Sequence, residues 1–436
     1  MCHNRACYEH LTYNHMTAAQ FTFVFIASLA MTTLAKLWLA RRQLAYIAEH
    51  RPTVPAAFHE KIPLVDHQKA ADYTSAKTRF DMLGALFDAA LLLAFTLGGG
   101  IQYITNLIST SLGNGWFSSP IAQGMAVIVT VLVIYSILEA PFNIYRTFVI
   151  EARFGFNKMT FKLYLLDALK GILIGAILGL PLLYGVLWLM ERMGTYWWLY
   201  VWIVWVVFNL LVLFIYPSFI APLFNKFSPM QDNAMKSRIE SLLAKCGFTA
   251  QGLFVMDGSK RSSHGNAYFT GFGKTKRIVF FDTLLERLST NEVEAVLAHE
   301  LGHFKRRHVV KRIAMTFAMS LLFLWLLGQL MQTTWFYQGL GVSTPSTALA
   351  LLLFFITLPI FSFLLGPLMS AYSRKHEFEA DAYAAKQTDA TDLVNALVKL
   401  YQDNAATLTP DPLYSKFYDS HPPAMARISH LLAPQT

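Results

Sequence analysis

Apolar residues dominate seven stretches of the chain, and each stretch is long enough to cross a bilayer as a helix. A membrane-spanning helix needs about 20 mostly apolar residues. The stretches cover residues 18–39, 83–104, 121–142, 163–190, 197–222, 313–331 and 348–370. A cleaved signal peptide is the alternative for the first stretch, but basic residues follow it rather than precede it. The pattern therefore predicts seven transmembrane helices, the first of them uncleaved.

The loops between these stretches alternate in charge. Residues 41–83 contain seven Lys or Arg, whereas residues 105–120 and 332–347 contain none. Lys and Arg are retained in short loops on the cytoplasmic side of a membrane. We therefore expect the N-terminus outside the cell and the C-terminus inside it. The same asymmetry accounts for most of the net charge of +9, so the charge needs no nucleic-acid partner.

The composition supports a membrane protein with a modest soluble part. Hydrophobic residues make up 55% of the chain and charged residues 14%, against about 25% charged residues in soluble domains. These values exclude a disordered chain, a collagen and a coiled coil. The three cysteines, Cys2, Cys7 and Cys246, form no CxxC pair, which argues against a disulfide framework and against a cysteine-based zinc site.

Four ionisable residues lie within the apolar stretches or at their ends: Asp88, Glu139, Asp167 and Lys170. Charged groups in hydrocarbon are costly, and they usually face a protein interior or a water-filled cavity. These side chains either extend toward the membrane surface or line a polar chamber inside the helix bundle. Both interpretations are open from the sequence.

Residues 226–312 and 373–436 lack membrane character, and the charge pattern puts both inside the cell. Ser228–Pro229 is typical of a helix start, and Gly247 is typical of the end of that helix. Ser289 with Glu292 three residues later forms a capping-box pattern, which predicts the start of another helix. Strands are expected at residues 253–256, 266–270 and 277–281, with a turn at 271–274 between the last two.

The helix after this capping box contains an HExxH motif from His299 to His303. At about 100° per residue the two histidines lie one turn apart on one face, where their imidazoles can bind one zinc ion. Glu300 lies beside that face, where a carboxylate can take a proton from a water molecule. A chance match is the alternative, but the capped helix has a separate apolar face at Val293 and Val296, which favours a metal site.

A third metal ligand should come from another part of the chain. After His303 the chain crosses the membrane twice and returns to the same side. Glu377 and Asp381 then lie four residues apart on one face of a predicted helix. Glu377 can complete the site, and Asp381 can hold a ligating histidine from behind. Three other side chains compete for the ligand role: His308, His376 and Glu379.

These features divide the chain into four parts. They are an N-terminal membrane region with spans 1–5, a cytoplasmic catalytic segment with HExxH, spans 6–7, and a C-terminal catalytic segment with the third ligand. Their predicted boundaries are residues 1–225, 226–312, 313–372 and 373–436.

Further blocks of sequence follow one another in a specific order. They are residues 141–142, 145–151, 155–158, 219–227, 261–269, 277–285, 377–381, 421–423 and 427–428. With these blocks the chain resembles the type I integral-membrane CAAX prenyl protease family, zinc metalloendopeptidases of the endoplasmic reticulum and of bacterial membranes. The resemblance covers most of the chain. HExxH alone would be a weak signal, whereas these blocks in this order are specific.

The resemblance implies a mainly α, polytopic membrane protein. It implies seven transmembrane helices that enclose a chamber, together with a small cytoplasmic α+β zinc-protease domain. It also implies one Zn²⁺ per chain on His299, His303 and Glu377, with Glu300 as the catalytic base.

The resemblance further implies that Asn266 and His421 contact the substrate or the transition state. An exposed strand edge at residues 266–269 can bind an extended peptide through main-chain hydrogen bonds. The alternative is that this strand only pairs inside the sheet. The remaining candidates for substrate binding are Ala267, Tyr268 and Arg427.

The expected function is zinc-dependent cleavage of C-terminal or membrane-associated polypeptides, with or without an attached lipid, at a lipid bilayer. The chain end shows no retention signal, which favours a bacterial inner membrane and leaves the substrate's prenylation open. A quality-control protease with broad substrates and a seven-span transporter-like protein are the alternatives. Basic residues around the HExxH motif argue against a site-2 type protease, and seven spans argue against a shorter membrane protease family. Glu300 argues against a transporter.

Overall fold

The computed structural model describes residues 16–111, 118–249, 252–270 and 277–433. Cys2, Cys7, the predicted turn at 271–274 and residues 434–436 lie outside the described residues. The described chain is mainly helical and contains one small sheet, as the sequence predicts.

The helices are numbered here along the chain. The first seven are α1 (Ala18–His50), α2 (Leu64–Phe95), α3 (Gly100–Ser111), α4 (Pro120–Tyr145), α5 (Phe161–Arg192), α6 (Trp197–Ile215) and α7 (Ala221–Phe224). The next three are α8 (Asn233–Lys245), α9 (Asp282–Leu285) and α10 (Thr290–Lys305). The last seven are α11 (His308–Leu330), α12 (Thr334–Gln338), α13 (Thr347–Ser362), α14 (Gly366–Gln387), α15 (Ala390–Asp403), α16 (Pro412–Tyr418) and α17 (Ala424–Leu432).

Six helical segments of the described chain are long and apolar enough to cross a membrane, and the bent pair α2–α3 makes a seventh. The prediction of seven spans is confirmed on this count. The second span, however, is not one continuous helix as its apolar stretch suggested. Helix α2 ends at Phe95 and α3 starts at Gly100, with a bend of 47° between them. Gly99 has φ +78°, a left-handed conformation that favours glycine and interrupts the helix.

Helix α1 is longer than a bilayer requires. Its 33 residues span about 50 Å, whereas the hydrocarbon core is about 30 Å thick. Beyond its apolar part, Arg42 donates to the Asp411 carboxylate at 2.8 Å, and the Gln43 side chain accepts the Asp411 N–H at 2.7 Å. The end of α1 is therefore tied to the start of α16, close to the soluble part.

The four ionisable residues of the spans have different surroundings. Asp88 and Glu139 line a cavity of about 460 Å³ in the membrane half. Asp167 accepts a hydrogen bond from Arg261 at 2.8 Å, and Lys170 donates to a backbone carbonyl at the end of α7 at 2.7 Å. The first pair thus fits the interpretation of a polar chamber, and the second pair joins the membrane helices to the segment that follows them.

The sheet contains β1 (Phe227–Pro229), β2 (Gly252–Met256), β3 (Ala267–Thr270) and β4 (Arg277–Phe281), in the order β1-β2-β4-β3. Strands β2 and β4 are parallel, and the other two pairs are antiparallel. The predicted helix start at Ser228–Pro229 is wrong, because these residues pair with β2. Helix α8 instead starts at Asn233, and the Asp232 side chain caps it.

Helices α10 and α14 approach each other closely. Gly302 of α10 faces Ala380 of α14, and a Cβ at Gly302 would lie 2.9 Å from the Ala380 Cα. The fully buried Leu297 and Leu301 pack the same helix into the core of the soluble part. Glycine at this position therefore lets the HExxH helix reach the segment around Glu377.

Candidate metal centre

The rotation of α10 is fixed by its N-terminal cap and its apolar face. The Glu292 carboxylate accepts the Ser289 N–H at 2.7 Å, and the Ser289 hydroxyl accepts the Glu292 N–H at 3.4 Å. This reciprocal pair confirms the predicted capping box. With Leu297 buried on the core side, His299 and His303 lie on the side that faces α14.

Three side chains from α10 and α14 direct one ligand atom each toward a common point. The Nε2 atoms of His299 and His303 are 3.2 Å apart. The Glu377 carboxylate oxygens lie 3.5 Å from His299 Nε2 and 3.3 Å from His303 Nε2. The ligand set predicted from the sequence is therefore brought together across the membrane hairpin of α11 and α13.

These separations fit a tetrahedral metal ion. Zinc bonds of about 2.0–2.1 Å at tetrahedral angles place neighbouring ligand atoms about 3.3 Å apart. Within the described residues the buried Oε2 atom of Glu377 accepts no hydrogen bond. A buried carboxylate oxygen is costly without a cation or a donor. Two imidazoles, one carboxylate and an open fourth position are the donor set of a catalytic zinc site.

The far side of His299 is held by a buried ion pair. Its Nδ1–H donates to Asp381 at 2.8 Å, and Asp381 accepts two hydrogen bonds from Arg427, at 2.6 and 2.9 Å. Burial lowers the pKa of His299, but the Asp381 and Glu377 carboxylates outweigh it and raise that pKa to about 9. The two carboxylates thus favour the protonated imidazole, and metal binding to His299 competes with that proton.

The competing ligand candidates lie behind His303 rather than around the common point. The Nδ1 atoms of His303 and His308 are 3.0 Å apart, and His308 Nε2 lies 3.0 Å from Glu379. The ring of His376 stacks on that of His308. Among the described residues, the grouping that can hold a metal is His299, His303 and Glu377.

A cleft of about 350 Å³ opens beside His299 and Glu377. Glu300, Asn266, Ala267 and His421 all line this cleft, as does the guanidinium-bearing Arg427. Apolar side chains of α15 form another part of its wall. The structure thus brings the predicted base and four of the predicted substrate-contact residues to one space.

Tyr268 is the exception among the predicted substrate contacts. Because side chains alternate along a strand, Tyr268 faces the side of β3 opposite to Ala267. It lines a separate small pocket, and its hydroxyl contacts the Met256 sulfur at 3.9 Å. Burial, with a contribution from Tyr216, raises the pKa of Tyr268 to about 12. Its position in the fold therefore indicates packing between the sheet and α7.

His421 reaches the cleft from the loop between α16 and α17. Its Nε2 atom lies 3.5 Å from Glu377, and 63% of its side chain is exposed. Arg374 on α14 donates to the backbone carbonyl of Asp419 at 2.7 Å and so ties this loop to the helix that carries Glu377. Sequence reasoning missed Arg374, because no local spacing signals a contact 45 residues away.

Arg427 is also more than a lining residue. It is buried, and its guanidinium pairs with Asp381 and lies 3.8 Å from Glu377. The guanidinium makes a bidentate pair with Asp381, while its distance to Glu377 is too long for a hydrogen bond. Its position in the sequence motif predicted a site residue, but this ion pair, 46 residues apart, has no sequence signal.

Comparison with known proteins shows the same architecture over most of the chain. A family model described as CAAX prenyl protease N-terminal, five membrane helices, matches residues 43–226, and one for peptidase family M48 matches residues 229–435. CAAX prenyl protease 1 of Saccharomyces cerevisiae is 35% identical, over 90% of this chain and 91% of the yeast protein. The chain belongs to the CAAX prenyl protease family of M48 peptidases. This confirms the family indicated by the sequence blocks.

Other members of the family show comparable similarity. The CAAX prenyl protease 1 homolog of Homo sapiens is 31% identical, over 94% of this chain and 95% of the human protein. The crystal structure of S. mikatae Ste24p superposes with a TM-score of 0.89 and 32% identity, over 94% of this chain and 99% of that one. The expected fold, seven spans around a chamber with a small soluble α+β part, is confirmed.

As an M48 peptidase of this membrane family, the chain is a membrane metalloprotease. The comparisons do not favour a transporter-like protein or a quality-control protease. The relatives named here are eukaryotic, and a bacterial inner membrane stays a prediction. The four-part division of the chain also stays a prediction.

Proposed function

We propose that this chain hydrolyses peptide bonds with one Zn²⁺ held by His299, His303 and Glu377. The observation that carries the proposal is the 3.2–3.5 Å spacing of their ligand atoms, beside a cleft that Glu300 lines. When bound, zinc polarises a carbonyl group and lowers the pKa of a coordinated water. Glu300 accepts a proton from the attacking water and passes it to the leaving amine.

Two further side chains of the cleft are assigned to the substrate. His421 offers a ring N–H where negative charge develops on the carbonyl oxygen, and it is tethered through its loop to the helix of Glu377. Asn266, at the start of β3, offers its side-chain amide to the substrate backbone on the cleft wall. Arg427 acts indirectly, because it holds Asp381 and therefore His299.

The reaction is tested with Glu300→Gln in the purified full-length protein. We expect this variant to retain one zinc per chain by elemental analysis and to lose peptidase activity, because an amide cannot accept the proton. His303→Ala should lose both zinc and activity. Wild-type activity in Glu300→Gln would reject the assigned base, and full zinc content in His303→Ala would reject the ligand set.

The substrate class is proposed from the named relatives, which are CAAX prenyl proteases. We assign to this chain a polypeptide with a prenylated cysteine near its C-terminus, bound with its peptide in the cleft. The test compares a farnesylated CAAX peptide with the same peptide lacking the lipid. A higher kcat/KM for the farnesylated peptide is expected, and equal values would show that the lipid is not recognised.

Binding of the peptide along β3 is part of this proposal. Strand β3 is an edge strand of the sheet, and the Ala267 N–H donates to the Asn266 side chain at 2.8 Å. A carbonyl oxygen of the substrate backbone can replace the Asn266 side chain as the acceptor of the Ala267 N–H. Ala267→Pro removes the N–H and should raise KM, whereas the control Ala267→Ser keeps it. An unchanged KM in a folded, zinc-loaded Ala267→Pro variant would contradict strand addition.

The proposed orientation has the N-terminus outside and the catalytic segments and C-terminus in the cytoplasm. The support is the distribution of Lys and Arg among the loops. In intact cells an impermeant thiol reagent should label Cys2 and Cys7 but not Cys246. The reverse pattern would overturn this orientation.

A further inference from the structure

His303 is followed, on the side away from the metal position, by a line of polar side chains. Its Nδ1 atom lies 3.0 Å from Nδ1 of His308, and Nε2 of His308 lies 3.0 Å from the Glu379 carboxylate. His308 is fully buried, whereas the Glu379 side chain is 30% exposed. The line therefore connects a ligand of the metal site to the protein surface through one buried imidazole.

The direction of these hydrogen bonds follows from the proposed zinc site. A zinc ion at the common point of His299, His303 and Glu377 would bind the Nε2 lone pair of His303, so the hydrogen of that ring must be on Nδ1. His303 Nδ1–H then donates to Nδ1 of His308. His308 in turn carries its hydrogen on Nε2 and donates it to Glu379. Each imidazole donates the one N–H that its tautomer carries, and the series of hydrogen bonds ends on the Glu379 carboxylate, which only accepts.

The position of His308 is fixed from two sides. Its ring lies parallel to that of His376, with 3.9 Å between centroids and 9° between planes. Arg307, which separates α10 from α11, has φ 56° and ψ 33°, in the left-handed region. A non-glycine residue in this conformation is held there at a cost by its surroundings. This turn folds the start of α11 back so that His308, five residues after His303, meets its ring.

The two ligating histidines are thereby supported in parallel ways. His299 donates directly to the carboxylate of Asp381 at 2.8 Å. His303 reaches the carboxylate of Glu379 through the ring of His308. Partners of this kind fix the tautomer and the ring orientation of a metal-binding histidine. They also raise its basicity as a ligand.

We propose that His308 and Glu379 are positioning residues that hold His303 in its zinc-binding tautomer and orientation. The inference rests on the proposed zinc site. Neither residue contacts the cleft, so neither is assigned a part in proton transfer to the substrate. The hydrogen bonds from His303 through His308 to Glu379 favour zinc binding. Removing them should therefore appear first as weaker zinc binding, that is, as a higher zinc Kd.

The experiment measures the zinc Kd of the full-length protein in detergent by competition with a fluorescent chelator. His308→Phe keeps a ring against His376 but removes the acceptor of His303 Nδ1–H. We expect zinc binding about 10- to 100-fold weaker, the usual effect of losing such a partner. His430→Phe, the same change on the exposed face of α17, is the matched control and should keep the wild-type Kd.

A second variant tests whether His308 and Glu379 act on His303 as one unit. Glu379→Leu leaves His308 in place without its acceptor and should also weaken zinc binding. The double variant should bind zinc no more weakly than His308→Phe alone, because removing the middle group already disconnects the carboxylate. The melting temperature of the metal-free protein is measured for each variant, and if His308→Phe fails to fold, Glu379→Leu carries the test.

The outcomes separate this inference from the proposed function. If the wild-type protein binds no zinc, or His303→Ala binds it normally, the proposed metal site fails. If the wild type binds zinc and both single variants keep a Kd within about twofold of it, the positioning role is overturned while the metal site stands. If the loss of zinc affinity in the double variant equals the product of the two single-variant losses, His308 and Glu379 act independently. That result would also overturn the proposal.

Discussion

The substitution Gly302→Ala tests whether the metal site depends on the close approach of α10 and α14. This substitution lies inside the HExxH motif but touches none of its ligand atoms. Gly302 precedes His303 on α10, and the residue it faces, Ala380, lies one turn from Glu377 on α14. A methyl group here acts as a wedge between the two helices that supply the ligands.

The size of the effect follows from the contacts. The added Cβ would lie 2.9 Å from the Ala380 Cα and 3.0 Å from its carbonyl oxygen, whereas ordinary contact starts at 3.4 Å. Because both neighbours are backbone atoms, the helices must separate by about 0.5 Å. Metal–ligand distances tolerate only about ±0.2 Å. We therefore expect zinc affinity to fall at least about tenfold, since Glu377 moves away from the histidines.

Protein stability should change less than zinc binding. Overpacking costs about 1–3 kcal/mol, and the higher helix propensity of alanine offsets about 1 kcal/mol of it. The assay is therefore the zinc Kd, with the melting temperature of the metal-free protein as a check on folding. Gly179→Ala in α5, where an added Cβ meets nothing within 4 Å, is the control. A wild-type zinc Kd in Gly302→Ala would refute the close-approach reasoning.

Three further predictions address other parts of the site. Arg427→Met removes the bidentate guanidinium from the buried carboxylate of Asp381, which then keeps only the Nδ1–H of His299, and should destabilise the protein by about 3–5 kcal/mol, measured by chemical denaturation; a change under 1 kcal/mol would contradict this. Burial alone would raise the pKa of Glu292, but the Lys399 ammonium at 2.7 Å and the hydrogen bonds from Ser289 together outweigh it and hold that pKa below its usual value. Lys399→Met should therefore lower the free energy of unfolding at neutral pH. The difference from the wild type should shrink as the pH falls below about 4.3, where the Glu292 carboxylate of the unfolded chain takes up a proton. A difference that does not depend on pH would exclude this ion pair as its cause. His421→Ala should keep zinc and substrate binding but lose about 10²-fold or more in turnover; an unchanged kcat would return His421 to a structural role.

Local patterns in the sequence predicted the elements that depend on neighbouring residues. The capping box at Ser289 and the histidine spacing of HExxH both describe contacts within one or two helical turns, and the structure has them as predicted. Glu377 could be predicted as the third ligand because two membrane crossings return the chain to the same side of the membrane. In each case the geometry is set by a regular element whose period is known.

Contacts made by tertiary packing could not be predicted in the same way. Ser228–Pro229 has the form of a helix start, but pairing with β2 claims these residues for a strand. The ion pair of Arg427 with Asp381 and the contact of His308 with His303 depend on how separate helices meet. Tyr268 is a candidate for substrate binding in the sequence, because the alternation of side chains along β3 can be predicted but the side of the strand that faces the cleft cannot.

The position of Glu377, the proposed third ligand, sets the order in which the proposed metal centre can be completed during synthesis. Glu377 follows His303 by 74 residues, and the helices α11 and α13 of the membrane hairpin lie between them. At a translation rate of about 5–20 residues per second, the HExxH helix leaves the ribosome roughly 4–15 s before Glu377. Through that interval the two histidines lack their carboxylate partner, and they acquire it only when both spans are inserted and paired. The nascent protease should therefore stay inactive while its spans are being inserted into the bilayer. Activity can begin only after the hairpin of α11 and α13 is inserted and Glu377 has joined the two histidines.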